Sequence, residues 1–241
     1  MTRVDNRTHN ELRPLTLQRH FTKYAPGSVL IQSGNTMVIC TAIVEESVPP
    51  HVKNTGKGWI TAEYSLLPAS TAIRVPREST KGKLTGRTHE IQRLIGRSLR
   101  SIIDLSRLKE RTIWIDCDVI QADGGTRTAA ITGSYIALMD AVGWLMSRDM
   151  IKENPVQNSL AAVSVGIVND VALLDLCYAE DAAAQVDMNV VMTGDGKFIE
   201  IQGTGEEYAF SQEQLTAMLD LAKEGLLEIT EIQKKALEKN T

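Results

Sequence analysis

Aromatic side chains are scarce in this chain: Phe, Tyr and Trp make up 5% of its 241 residues. With 43% hydrophobic and 23% charged residues, the balance is that of an ordinary soluble globular protein. Only three cysteines occur, Cys40, Cys117 and Cys177, widely spaced in apolar, strand-like surroundings. That spacing excludes a disulfide framework and a zinc site, and fits buried reduced thiols in a cytoplasmic protein. No run approaches the ~18 apolar residues that a membrane helix needs, so no membrane partner is expected. Arg3, Arg7 and Arg13 near the N-terminus have no apolar stretch behind them, which argues against a secretory signal.

Overall charge is also modest, −4, which on its own argues against a polyanionic partner. Its distribution reverses that reading. Between Ala69 and Arg100 stand eight Lys/Arg against two Glu, whereas residues 151–241 carry six Lys against sixteen Asp/Glu. A polyanion responds to the field within a Debye length, ~8 Å at physiological salt, so the basic stretch outweighs the total.

A chain of this length is one large domain or two small fused modules. Leu15 to Lys23, Ser28 to Gln32, Thr36 to Val44 and Trp59 to Leu66 read as strands, the middle pair joined as a hairpin across Ser33-Gly34-Asn35. Pro68 to Gly86 has no apolar period and many cations: an exposed loop. Ile91, Leu94, Ile95, Leu99, Ile102 and Ile103 then recur at helical spacing, with Thr88 as the expected cap. Arg93, Arg97 and Arg100 form a stripe on another face. Arg111 to Gln121 is strand-like, and Thr128 to Ser147 is apolar nearly all round, a buried helix. The second half follows the same plan, with strands at 160–168, 171–176, 185–192 and 197–202, then two helices near 211–222 and 227–238. Strands followed by helices, twice, predict an α+β fold of two βαβα-type modules, about 1–150 and 151–241, with mixed sheets packed against helices in one domain.

Three groups of residues carry chemistry. Asp123-Gly124-Gly125-Thr126-Arg127 lies between a strand and a buried helix. Consecutive glycines admit a close ligand, free amides at a helix start attract anions, and Thr126 and Arg127 add a hydroxyl and a planar fork suited to phosphate. An ordinary strand-to-helix turn with a solvated Arg127 fits the same spacing. The cations Arg74, Arg77, Lys81 and Lys83 lead into Arg87 and the Arg93/Arg97 stripe, which suits salt-sensitive, sequence-independent RNA backbone binding. No aromatic lies in that stretch, so base stacking has to come from elsewhere. Asp181 and Asp187 bracket Ala182 to Val186, and a carboxylate pair suits a hard cation such as Mg²⁺ held by few protein ligands. Surface acids would show the same spacing, and Asp116, Asp118 and Asp175 are further strand-borne acids that spacing leaves open.

Longer runs are more specific. Gly56-Lys57-Gly58-Trp59-Ile60-Thr61-Ala62-Glu63-Tyr64-Ser65, Gly86-Arg87, Glu90-Ile91-Gln92-Arg93-Leu94-Ile95-Gly96-Arg97, the stretch from Asp116 to Thr128, and the stretch from Val186 to Gly196 closely resemble the bacterial ribonuclease PH family. The likeness extends over essentially the whole chain. It implies a ribonuclease PH-like fold, a hexameric ring built as a trimer of dimers, and a phosphorolytic 3′→5′ exoribonuclease. That enzyme would trim tRNA precursors and other RNA 3′ ends with inorganic phosphate as co-substrate and release nucleoside diphosphates. It also implies phosphate binding by Arg87, Gly125, Thr126 and Arg127, catalysis and Mg²⁺ (or another divalent metal) binding by Asp181 and Asp187, and tRNA guidance by Arg74 and Arg77. Ala69 departs from the family, many of whose members have Arg there. A catalytically silent RNA-binding ring subunit would tend to lack the arginines or the acids, and both sets are present. A hydrolytic nuclease would want more carboxylates and no anion pocket. A small-molecule kinase would need a nucleotide-binding glycine-rich loop, which is not found.

Overall fold

The computed structural model describes residues 3–206 and 209–238; the remaining positions of the two expected modules lie outside the described residues. β1 (Leu15–Arg19), β2 (Gly27–Ser33), β3 (Thr36–Glu45), β4 (Trp59–Leu66) and β5 (Thr112–Gln121) form one sheet in the order β1-β2-β3-β5-β4. β2 and β3 close the expected hairpin around Gly34-Asn35, with Ser33 opposite Thr36. β1 ends four residues earlier than the sequence pattern predicts, because His20 takes φ +54°, which no strand continues.

β4 and β5 run parallel, so a crossover must join them, and α1 (Gly86–Arg100) supplies it. Ile91, Leu94, Ile95 and Leu99 are buried, as their period requires. The cap is Thr85, not Thr88: the Thr85 hydroxyl accepts the Thr88 amide at 3.2 Å. The two threonines are alike in sequence, and the intervening Gly86 and Arg87 gave no sign that the helix starts with them.

α2 (Thr126–Ser147) is apolar on every side because it lies between two sheets, touching β2 and β3 on one flank and β6 (Leu160–Val168) on the other. Its most apolar 18-residue window reaches a mean hydropathy of 1.3, enough by length and composition for a membrane span, against the expectation that no segment comes close. Burial of 78% of that window marks it as a core helix.

The second sheet is antiparallel, in the order β7 (Val171–Leu174), β6, β8 (Val186–Thr193), β9 (Phe198–Gly205). α2 covers one face of β6 and α4 (Gln212–Glu238) the other, so β6 is buried at every position. α4 is one 27-residue helix where the sequence suggests two. Gly225 is not a break but a point of close approach: a Cβ there would lie 2.8 Å from Leu174 Cδ1 and 3.3 Å from Leu12 Cδ2. Met218, Ala222, Leu226 and Ile229 continue the same buried face through it, each large side chain contributing roughly 1.5–3 kcal/mol by leaving water. Cys40, Cys117 and Cys177 are free and buried, as their surroundings predict.

Candidate active site

β5 ends in the turn Asp123-Gly124-Gly125, and α2 starts from it. Gly124 and Gly125 take φ +76° and +64°, a left-handed pair that other residues adopt only with strain. Gly125 is the residue before the first helical turn, where backbone amides lack partners within the helix and favour an anion. The turn is held from below: the Thr36 hydroxyl donates to Gly124 O at 2.7 Å and accepts the Asp123 amide at 3.0 Å. Thr126 is buried, its Oγ1 lying 2.8 Å from Tyr64 Oη. Arg127 extends past it, donating to Gln202 Oε1 at 2.7 Å, with Glu90 Oε1 at 3.6 Å.

Facing this turn is the acid pair. Asp181 ends the short helix α3 (Tyr178–Asp181), and Asp187 stands on β8. Both line a cavity of about 530 Å³ together with Arg87, Gln185 and Glu206. Asp187 Oδ1 is buried and makes no hydrogen bond among the described residues. Asp181 is exposed at the rim, yet enough protein surrounds it that lost solvation pushes its carboxyl above the usual range. The Asp187 charge pushes the same way, while Arg87 and Arg127 oppose it. The same two arginines oppose the upward shift that burial imposes on the Tyr64 hydroxyl. The charges of Arg87 and Arg127, 40 positions apart in the chain, thus bear on both Tyr64 and Asp181, and Arg87 shares the cavity of the acid pair.

The turn offers cationic, hydroxyl and amide donors, and a carboxylate pair stands on α3 and β8, chemistry that can take an oxyanion and a cation. An orphaned buried carboxylate oxygen costs free energy unless something binds it, and a divalent cation fits it. A hard ion such as Mg²⁺ keeps water or substrate oxygens in most of its positions and needs few protein ligands.

The other acids lie outside that cavity. Asp116 and Asp118 line a second cleft of about 600 Å³ that shares Arg87 with it and also holds Tyr64, Arg77 and Glu78, and Asp118 accepts the Ser65 hydroxyl at 2.6 Å. Asp175 is buried and ion-paired with Arg13 at 2.7 Å. Arg74, Arg77 and Arg93 are exposed. Two members of the helical arginine stripe have partners within the chain. Arg97 is paired with Glu200 at 2.7 Å. Arg100 turns back, donating to Ile60 O at 2.8 Å with its guanidinium 4.4 Å from the centre of the Trp59 ring. Tyr64, Gln202 and Glu206 were not singled out from sequence. Of these only Tyr64 gave a signal, as an inward position on an alternating strand.

Residues 11–142 match domain 1 of the 3′ exoribonuclease family, and residues 158–225 match domain 2. Ribonuclease PH of Moorella thermoacetica is 62% identical over 237 residues, 98% of this chain and 95% of that protein. Ribonuclease PH of Bacillus subtilis is 58% identical over 236 residues, 98% and 96%. Among solved structures, the Archaeoglobus fulgidus exosome with RNA bound to the active site superposes with a TM-score of 0.81 at 22% identity, over 95% of this chain and 91% of that one. Rice Rrp46 gives 0.79 at 21%, over 98% and 100%. These two likenesses speak for the fold. The chain belongs to the 3′ exoribonuclease family, as a phosphorolytic 3′→5′ exoribonuclease of the ribonuclease PH type.

Proposed function

We propose that inorganic phosphate is seated by Arg87, Arg127, the Thr126 hydroxyl and the Gly125 amide, and that it attacks the last phosphodiester of an RNA 3′ end in line. A new P–O bond forms to the attacking phosphate, and the bond to the penultimate 3′-oxygen breaks. A nucleoside diphosphate leaves, and the shortened RNA keeps a 3′-hydroxyl. Phosphate is the nucleophile, so the chain has no need of one of its own. What it must do is bring two anions together, which fixed cations and amides accomplish by positioning and by screening charge. Since the bond made resembles the bond broken, the reaction runs in reverse with nucleoside diphosphates.

Asp181 and Asp187 are the residues that would hold a divalent metal. When bound there, it supplies charge stabilisation at the reacting phosphoryl group and leaving oxygen. The exposed cations Arg74, Arg77 and Arg93 are suited to holding the RNA backbone upstream of the 3′ end. Transfer-RNA precursors as substrate, a hexameric ring built as a trimer of dimers, and a cytoplasmic location follow from the family likeness. One functional unit of two modules, about 1–150 and 151–241, is supported by a core that crosses between the sheets: Leu160, Ala162 and Val191 share a cluster with Ile31 and Ile131.

The observation that carries this reading is that Arg87 lines one cavity with Asp181 and Asp187. Incubating the protein with a tRNA precursor, with and without phosphate, tests it. Nucleoside diphosphates released only with phosphate are expected; monophosphates released regardless of phosphate would overturn it.

A further inference from the structure

We propose that Arg3 and Arg13 are positioning residues: they fix the Asp123–Thr126 turn against α3 and so set the spacing between the phosphate seat and the Asp181–Asp187 pair. The proposal rests on the reading of that site given above. Arginine is seldom buried without partners, yet Arg3, Arg7 and Arg13 are 3%, 8% and 4% exposed. None of them lines the cavity that holds Asp181 and Asp187, so any influence on the reaction passes through what they grip.

They grip both halves of the site. The Arg13 fork takes Asp175 Oδ1 at 2.7 Å and Oδ2 at 3.1 Å, and its third nitrogen donates to Asp123 O at 2.6 Å. One side chain thus ties the phosphate turn to the segment that leads into α3, 162 residues from Arg13. Asp175 itself takes φ +53°, a strained conformation for a residue with a side chain. Its carbonyl is held there by Arg3 at 3.1 Å and Arg7 at 3.0 Å. Arg3 then clasps Glu180, the residue before Asp181, through Nε at 2.8 Å and Nη2 at 2.7 Å.

Between these anchors the two backbones abut. A Cβ on Gly124 would lie 2.6 Å from Leu176 O and 2.8 Å from the Tyr178 amide nitrogen, and that amide donates to Asp123 Oδ1 at 3.3 Å. Turn and helix start cannot move independently while the arginine forks are closed. Stability alone is a poor account of such a network, because buried ion pairs gain little over apolar packing of similar volume. What a planar two-pronged fork adds is orientation.

Arg13→Lys tests the inference, since it keeps the charge opposite Asp175 and loses the second prong. Phosphorolysis of a 3′-extended RNA, measured with phosphate as the varied substrate, is expected to show the phosphate KM raised roughly tenfold. RNA affinity measured without phosphate should be unchanged. A merely structural role would lower the melting temperature and the active fraction without moving that KM, and this result would overturn the proposal. Circular dichroism establishes folding. Should the Arg13→Lys variant fail to fold, Asp175→Asn, isosteric and acting from the other end of the fork, carries the same expectation and the same refutation. Arg127→Ala, measured alongside, separates the two readings. If it too leaves the phosphate KM unmoved, the seat itself is wrongly placed. If it alone raises KM, only the positioning role falls.

Discussion

Tyr64 Oη and Thr126 Oγ1 lie 2.8 Å apart in the interior, joining the middle of β4 to the first residue of α2. The bond fixes the rotamer of a hydroxyl that would otherwise have three staggered choices, and it does so within the field of Arg87 and Arg127. Tyr64→Phe removes only that bond. The expected cost is about 1 kcal/mol of orientation, or about a fivefold rise in the KM for phosphate. Affinity for RNA without phosphate stays as it was. Steady-state kinetics at varied phosphate check this, and an unchanged KM would show that the Thr126 hydroxyl makes no contact with the anion.

Gly124→Ala strikes the same turn from the backbone. Its φ of +76° would carry an alanine only at a penalty, and the new Cβ would meet Leu176 O at 2.6 Å and Cys177 C at 2.7 Å. Those atoms are main chain and cannot rotate aside, so the turn or α3 must shift. Together the strain and overlap cost about 3 kcal/mol, a fall of about 6–12 °C in melting temperature for a chain of this size. Phosphorolysis should drop about a hundredfold because the seat and the acids lose register. Thermal unfolding and turnover are measured on the same sample, and a variant with the parent's melting temperature refutes the contact.

Arg74→Ala and Arg77→Ala address RNA rather than phosphate. Both side chains are exposed in the loop before α1. If each neutralises one backbone phosphate, the slope of log affinity against log salt falls by about 0.7 per variant on a single strand. Arg97→Ala should flatten it less, since that guanidinium is already engaged by Glu200. Equilibrium binding across a salt series without inorganic phosphate distinguishes the three, and equal slopes for all would remove the loop from the RNA path.

Much of this was legible in the order of residues alone. Strand β4 falls on the residues its alternation marks, Trp59 to Leu66. α2 announces its burial by being apolar on every side. The Asp123–Arg127 turn falls between a strand and a helix as its glycine pair marks it, although an ordinary turn would carry the same residues. What escaped depends on partners distant in the chain. Arg13 and Asp175 stand 162 residues apart, with no local pattern to link them. Thr85 and Thr88 are interchangeable on paper, and only the direction of one amide decides which is the cap. Gly225 resembles a helix break unless Leu174 is known to lie against it. Arg100 belongs by spacing to a cationic stripe, yet the Trp59 ring and Ile60 carbonyl draw it away.

Glu180 gives the pH dependence. Burial raises its carboxyl, but the Arg3 fork, the Cys177 amide and the Arg7 charge together hold it below the ordinary 4.5. A carboxylate lowered in the folded state adds stability above pH 4.5, and that increment is lost as pH falls through the lower folded value. Glu180→Gln leaves Arg3 buried without its counterion, at a cost of about 3 kcal/mol at neutral pH. As pH falls below 4.5 the parent loses that increment, so the gap between the two proteins should narrow with acid. Urea unfolding of both proteins across pH 3 to 7 measures it. A gap constant over that range would mean that the Arg3–Glu180 contact carries no charge in the folded state, and that its hydrogen bonds alone hold α3 in place.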